Sequence, residues 1–163
     1  MPERKTMERA RKDKRQGKST STQAGEFVRE EFHHIRGGKH GARSTKQAIA
    51  IGLPKARRAG VDLPTPKHGS AETRRAAQRD REAGDHPGHT PSRRRSRATL
   101  NALRHEGRAA GTHRAISRQA HASARSRSAG ERSAAARRAA RTKGPAKRSA
   151  AARKAARTRA RHA

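Results

Sequence analysis

Residues 20–60 read TSTQAGEFVREEFHHIRGGKHGARSTKQAIAIGLPKARRAG, and this stretch decides the fold. In its first half Ala24, Phe27, Val28, Phe32 and Ile35 recur at spacings of three and four and form one apolar stripe of a helix. Arg29, Glu30 and Arg36 fall on the other side. Thr20 with Gln23 fits a capping box, and Ser19, Ser21 and Thr22 compete for the cap. Gly37-Gly38 stops the helix. In the second half Ser44 and Gln47 make an S-x-x-Q capping box ahead of Ala48, Ile49, Ile51, Ala56 and Ala59. Lys55, Arg57 and Arg58 load the C-terminal turns with positive charge, which suits the helix dipole, and Gly60 follows as a terminator. Pro54 is the anomaly. A proline inside a helix costs about 3 kcal/mol, so a kink or break is expected around Gly52-Leu53-Pro54. The expectation is two helices packing Phe27, Val28, Phe32, Ile35, Ile49, Ile51 and Leu53 into a minimal core. The fold class is mainly α.

Outside this module, over residues 20–66, the chain offers little to bury. Leu, Ile, Val and Phe together number 12 of 163 residues, about 7%. That lies far below the roughly 20% under which a highly charged chain is expected to be disordered. Residues 1–19 form a basic arm, charged on every face except at Met7 and Ala10, and such a helix frays alone. Residues 67–90 are a polar transition punctuated by Pro64, Pro66, Pro87 and Pro91 at and near its ends, with one more polar helix expected at 71–83. Residues 91–163 are expected to be a long disordered Ala/Arg-rich tail, with a short helix around Leu100 and Leu103. The tail holds a repeat: RSAAARRAARTK at 132–143 returns as RSAAARKAARTR at 148–159, with Gly144-Pro145 between the copies.

The charge is as informative as the pattern. The chain has 43 Lys/Arg, 13 Asp/Glu and a net charge of +30. Residues 91–163 carry 22 Lys/Arg against 2 Asp/Glu, a net +20, which leaves +10 for residues 1–90. So basic a chain repels itself and calls for a polyanion. A membrane surface is disfavoured, because there is no long apolar run and no Trp or Tyr anchor. Without Cys there is no disulfide or thiolate chemistry, and the opening residues do not read as a secretory signal. An intracellular setting follows.

Nucleic acid is therefore the expected partner. In the repeat, Ser133 and Ser149 are natural N-caps and Ala is the best helix former. Arg137, Arg138 and Arg141 fall on one face of the first copy, and Arg153, Lys154 and Arg157 on one face of the second. Lys143, Lys147, Arg148 and Arg159 add to this basic surface, as do Arg93, Arg94 and Arg95 farther upstream. Arg137 and Arg141 repel at i,i+4, and phosphates would relieve that, so folding on binding is expected. Binding to single strands and RNA usually uses aromatic platforms, and Phe27 and Phe32 are the only aromatics. Duplex DNA bound through its phosphates is the first expectation. The Ser-Ala-Arg-Ser-Arg-Ser run at 123–128 keeps RNA or a ribosome as the rival. A second rival is a protein-interaction module at 20–60 with a tail that only localises it. The small apolar stripe also allows self-association into a homo-oligomer.

Other chemistry is absent from the pattern. The segment from Gly37 to Thr45 does not match the phosphate-loop motif and no strand precedes it, so it reads as a flexible connector. A weaker reading has the backbone N–H groups of Ser44 to Gln47, with Lys39 and Arg43, gripping one phosphate. Arg57 and Arg58 extend that basic surface. The ten His include His33-His34 and the His86/His89 pair, but without Cys or a helical H-x-x-x-H pair no metal site is expected. Glu30-Glu31 reads as part of a charged helix face. No nucleophile stands beside a base, so no enzyme and no cofactor is expected.

The strings MPERKTMERARKDKRQGKS and STQAGEFVREEFHHIRGGKHGARSTKQAIAIGLPKARRAG resemble a family of small bacterial proteins. These carry a domain of unknown function and are sometimes labelled plasmid stabilisation or DNA-binding proteins. The resemblance spans residues 1–66 and is most specific at 43–53, RSTKQAIAIGL. Ser usually follows that block where this chain has Pro54. The resemblance implies a bacterial, cytoplasmic or nucleoid setting and carries over no site residues. The tail is similar in composition to linker-histone and bacterial histone-like tails.

Overall fold

The computed structural model describes residues 2–67, 69–86 and 92–161. Pro87, His89 and Pro91 lie outside the described residues. Among those described, every regular element is helical: α1 (Arg4–Arg15), α2 (Thr20–Arg36), α3 (Thr45–Arg58), α4 (Ala71–Asp85), α5 (Arg93–Arg104), a 3₁₀ turn (Ala109–Gly111), α6 (His113–Arg125) and α7 (Ala129–Ala160). The chain divides into two compact units, residues 1–119 and 120–163.

In the first unit α2 is central. It packs against α1 on one side and α3 on another, and α4 lies on α3. Phe27, the larger of the two repeated anchors in burial, is 1% exposed and joins Ala10, Ala24, Ala56 and Val61. Phe32 and Ile35 form a second cluster with Ala42, Ala48 and Ala110. Val28, Ile49 and Leu53 pack against these clusters as expected, while Ile51 is only partly buried and belongs to neither. The core is made largely of alanines, so the helices approach closely. At Gly52 a Cβ would stand 2.8 Å from the Cα of Val28, which leaves glycine as the residue that permits the α2–α3 crossing.

Four expectations are corrected by the packing. First, the basic arm does not stand free. Thr6, Ala10 and Asp13 of α1 are buried against α2, and Lys18 closes the turn on Asp13 at 2.6 Å. Met7 and Ala10 pack on the cluster that holds Ala24 and Phe27 of α2. Second, Pro54 does not break α3, which runs through it. The carbonyl deprived of its donor belongs to Ala50, an exposed residue. Third, the compact unit does not end near residue 66. Ala110 is buried in the second cluster, Ile116 packs on it, and Thr45 Oγ1 donates to the Ala110 carbonyl at 3.0 Å. Fourth, the connector between α2 and α3 is tied down. Gly41 N–H donates to the Leu103 carbonyl at 2.8 Å and Ala42 N–H to the Gly107 carbonyl at 3.0 Å.

The cap of α2 lies one residue before its first expected place. Ser19, not Thr20, caps α2, and Gln23 reaches back to the Lys18 carbonyl. Ser44 caps α3 as expected, while Gln47 accepts from Arg43 N–H at 2.7 Å.

The second unit also differs from expectation, since the tail is helical. Ser128 and Glu131 form a reciprocal capping box at the start of α7, and Ala is the commonest residue of the helix that follows. Ser133 and Ser149, expected as caps, lie inside it. The helix is interrupted at Gly144, whose φ of 68° and ψ of 167° leave the helical region, and Pro145 restarts it. No residue of α7 is buried.

Candidate functional site

The basic residues fall into two groups. Arg137, Arg138, Arg141, Lys143, Lys147, Arg148, Arg153, Lys154, Arg157 and Arg159 are all exposed on α7. Glu131 is the one acidic residue of that helix, and it is engaged in the cap. Arg93, Arg94 and Arg95 occupy the first turn of α5 behind the cap Ser92, and all three are exposed. Cations at a helix N-terminus oppose the dipole, so this turn is electrostatically short of an anion. Arg93, Arg94 and Arg97, with Asn101, line a shallow hollow on α5.

The residues expected near α3 are placed differently. Arg57 is 6% exposed, and its guanidinium donates to the Leu63 carbonyl at 3.4 Å and the Pro64 carbonyl at 3.2 Å. The chain turns back after Gly60 and presents those carbonyls to it, so Arg57 works inside the fold. Arg58 pairs with Asp80 of α4 at 2.6 Å. Lys39 pairs with Glu3 at 2.8 Å. At the α3 N-terminus Gln47 N–H is already taken by Ser44 Oγ at 3.1 Å. Of the proposed phosphate grip, Arg43 alone keeps an exposed side chain with no ion pair among the described residues.

A second constellation was not legible in the chain. Glu30 and Glu31 are 2% and 0% exposed, so they do not form a solvated face. Glu30 accepts from the Glu3 N–H with both oxygens at 3.2 Å and so seats the start of α1. Glu31 Oε1 accepts from Lys55 Nζ of α3 at 2.5 Å. Glu31 Oε2 is buried without a hydrogen-bond partner, and His40 Nε2 stands 3.3 Å away. Leaving such an oxygen unpaired costs about 1–3 kcal/mol.

Two histidines close this cluster. His40, 7% exposed, lies on the connector, and its Nδ1 is 2.9 Å from the Gly41 carbonyl. His34 follows Glu31 by three residues and so shares its face of α2. Its Nε2 lies 2.9 Å from Glu3 Oε1 and its Nδ1 lies 3.9 Å from Glu31 Oε1. The two rings meet edge to face with centroids 5.9 Å apart. Hydrogen bonds from Lys39 and then His34 hold the Glu3 carboxyl down at about 2, against an ordinary 4.5. The available signal in the sequence was the Glu31-x-x-His34 spacing. The partner His40 comes from another element, and only the docked connector brings it in.

Among the described residues no helix is long and apolar enough to cross a membrane. Residues 4–67 match the model of a family of unknown function, DUF6496. That match supports the family resemblance over the first module and brings no label of plasmid stabilisation or DNA binding with it. No curated protein and no solved structure matches the chain.

Proposed function

We propose that this protein is a non-enzymatic binder of nucleic acid, of duplex DNA first, acting by phosphate neutralisation rather than base reading. The observation that carries the reading is α7: eleven Lys/Arg on an exposed helix whose one acidic residue is spent on its own cap. Such a surface has no internal counter-charge, and a polyanion supplies it. The helical tail adds a reason for duplex preference. Its two helical segments, on either side of Gly144, each present a row of cations to successive phosphates. Base readout is not served, because α7 offers no Asn, Gln or aromatic side chain, and its repeated arginines fix no register. The setting this reading implies is the bacterial nucleoid or a plasmid.

Binding of the full chain to duplexes of unrelated sequence, and to single-stranded RNA of equal length, tests it. Affinities for the duplexes should agree within a few-fold, and RNA should bind no more tightly, since the protein has no exposed stacking platform. A clear preference for RNA would replace the DNA reading with a ribosomal or RNA-associated one.

A further inference from the structure

We propose that Glu31, His34 and His40 form a binding site for one zinc-class divalent transition-metal ion, which clamps the α2–α3 connector onto α2. The three residues offer ligand atoms that all lie within 4.8 Å of one another. They come from two elements and are almost wholly enclosed.

The hydrogen bonds around the cluster fix what each ring presents. A carbonyl only accepts, so the 2.9 Å contact to Gly41 requires the His40 proton on Nδ1. In the neutral ring Nε2 then carries a lone pair, 3.3 Å from Glu31 Oε2, itself a carboxylate oxygen with no donor. Two lone pairs facing each other in a buried site repel, and a cation between them resolves the conflict. Their separation of 3.3 Å is long for a charge-assisted hydrogen bond. It equals the spacing of two ligands on one tetrahedral ion, about 3.3 Å for bonds of about 2.0–2.1 Å. His34 is arranged in the same way. A carboxylate only accepts, so the 2.9 Å contact to Glu3 puts the proton on Nε2 and leaves Nδ1 facing the cluster.

The surroundings complete the pattern of a metal site. Each ligating histidine donates its remote N–H, one to a carboxylate and one to a backbone carbonyl, which is how such ligands are oriented. The second oxygen of Glu31 is held by Lys55, leaving Oε2 for the ion. Local charge also fits. Glu3, Glu30 and Glu31 converge here against Lys39 and Lys55, a net negative spot in a chain of net charge +30. Two imidazoles and one carboxylate suit zinc over magnesium or calcium.

The test uses the full chain after chelation, with zinc chloride added in buffered salt. Zinc should bind at one equivalent. The ring signals of His34 and His40 in the NMR spectrum should shift, and the other eight histidines should not. Free zinc at a hundred times its Kd should move the folding equilibrium of the wild-type protein about a hundredfold toward the native state. The variant His34→Ala/His40→Ala should lose the equivalent and the stabilisation, whereas His121→Ala, on an exposed residue of α6, should keep both. The wild-type NMR titration decides the matter even where the double variant fails to fold. Zinc that leaves these two rings unmoved, or shifts all ten histidines alike, overturns the proposal. In the first case the Glu31–His40 contact is a proton-mediated ion pair.

Discussion

Two alanine substitutions in neighbouring helices should act with opposite sign. Gly25 and Gly52 both lie inside helices, α2 and α3, and Gly→Ala there gains about 0.8–1 kcal/mol from helix propensity. At Gly25 a new Cβ meets nothing within 4 Å, so that gain should appear almost whole. At Gly52 the new Cβ would stand 2.8 Å from Val28 Cα, 3.0 Å from its Cγ2 and 3.0 Å from its N. Two of these are backbone atoms and cannot swing aside, so α2 and α3 must part. Overpacking of this kind costs typically 1–3 kcal/mol, and forced backbone separation belongs at the upper end. The net for Gly52→Ala is a loss of about 1–2 kcal/mol. Thermal unfolding of the full-length variants reads the difference, at roughly 4 °C per kcal/mol for a unit of this size. Gly25→Ala should melt above the wild type and Gly52→Ala below it. A Gly52→Ala protein that melts with or above Gly25→Ala would show that the α2–α3 crossing is not as close as described.

Further outcomes follow from the same structure. Phe27→Ala removes the most buried aromatic and should cost about 3–5 kcal/mol in urea unfolding, with the slope unchanged; a loss below 1 kcal/mol would remove Phe27 from the core. The Glu3 carboxyl is depressed to about 2 in the fold, chiefly by Lys39 and then His34, against 4.5 unfolded. Its contribution is therefore present above pH 4.5 and lost as pH falls toward 2, and Glu3→Gln should flatten that acid-side decline in a pH series of melting curves. A peptide of residues 126–161 should gain helical circular dichroism in low-salt buffer when duplex DNA is added, because phosphates quench the Arg137–Arg141 repulsion. An unchanged spectrum would separate binding from helix formation.

The helices of the first module were readable because their signals are local. Caps at Ser44 and glycines at 37–38 and 60 act within one turn, and the Phe27–Ile35 stripe needs no partner to be seen. What escaped was set by partners distant in sequence. Glu30 and Glu31 look solvated until α1 and the connector cover them, and Arg57 looks free until the chain returns with the Leu63 and Pro64 carbonyls. The Ala-rich contacts also escaped, since Ala110 buries little area and marks no stripe. The tail shows a different conflict. Its lack of apolar residues argued for disorder, while its alanines and the Ser128–Glu131 box favour helix, and local propensity prevails where no core is needed. The helix without any buried residue is still what makes its basic surface available.

The central claim is that binding is electrostatic and carried by α7. It is tested most directly by the salt dependence of duplex affinity in the full chain and in a variant with Arg137, Arg138, Arg141, Arg153, Lys154 and Arg157 changed to Gln. With about 8 phosphate contacts the wild-type slope of log K against log salt should be near −7, and loss of six contacts should make it shallower by about 5. Gln keeps much of the helix propensity, so the change isolates charge. Equal slopes and equal affinities for the two proteins would contradict the account and move the binding surface off α7.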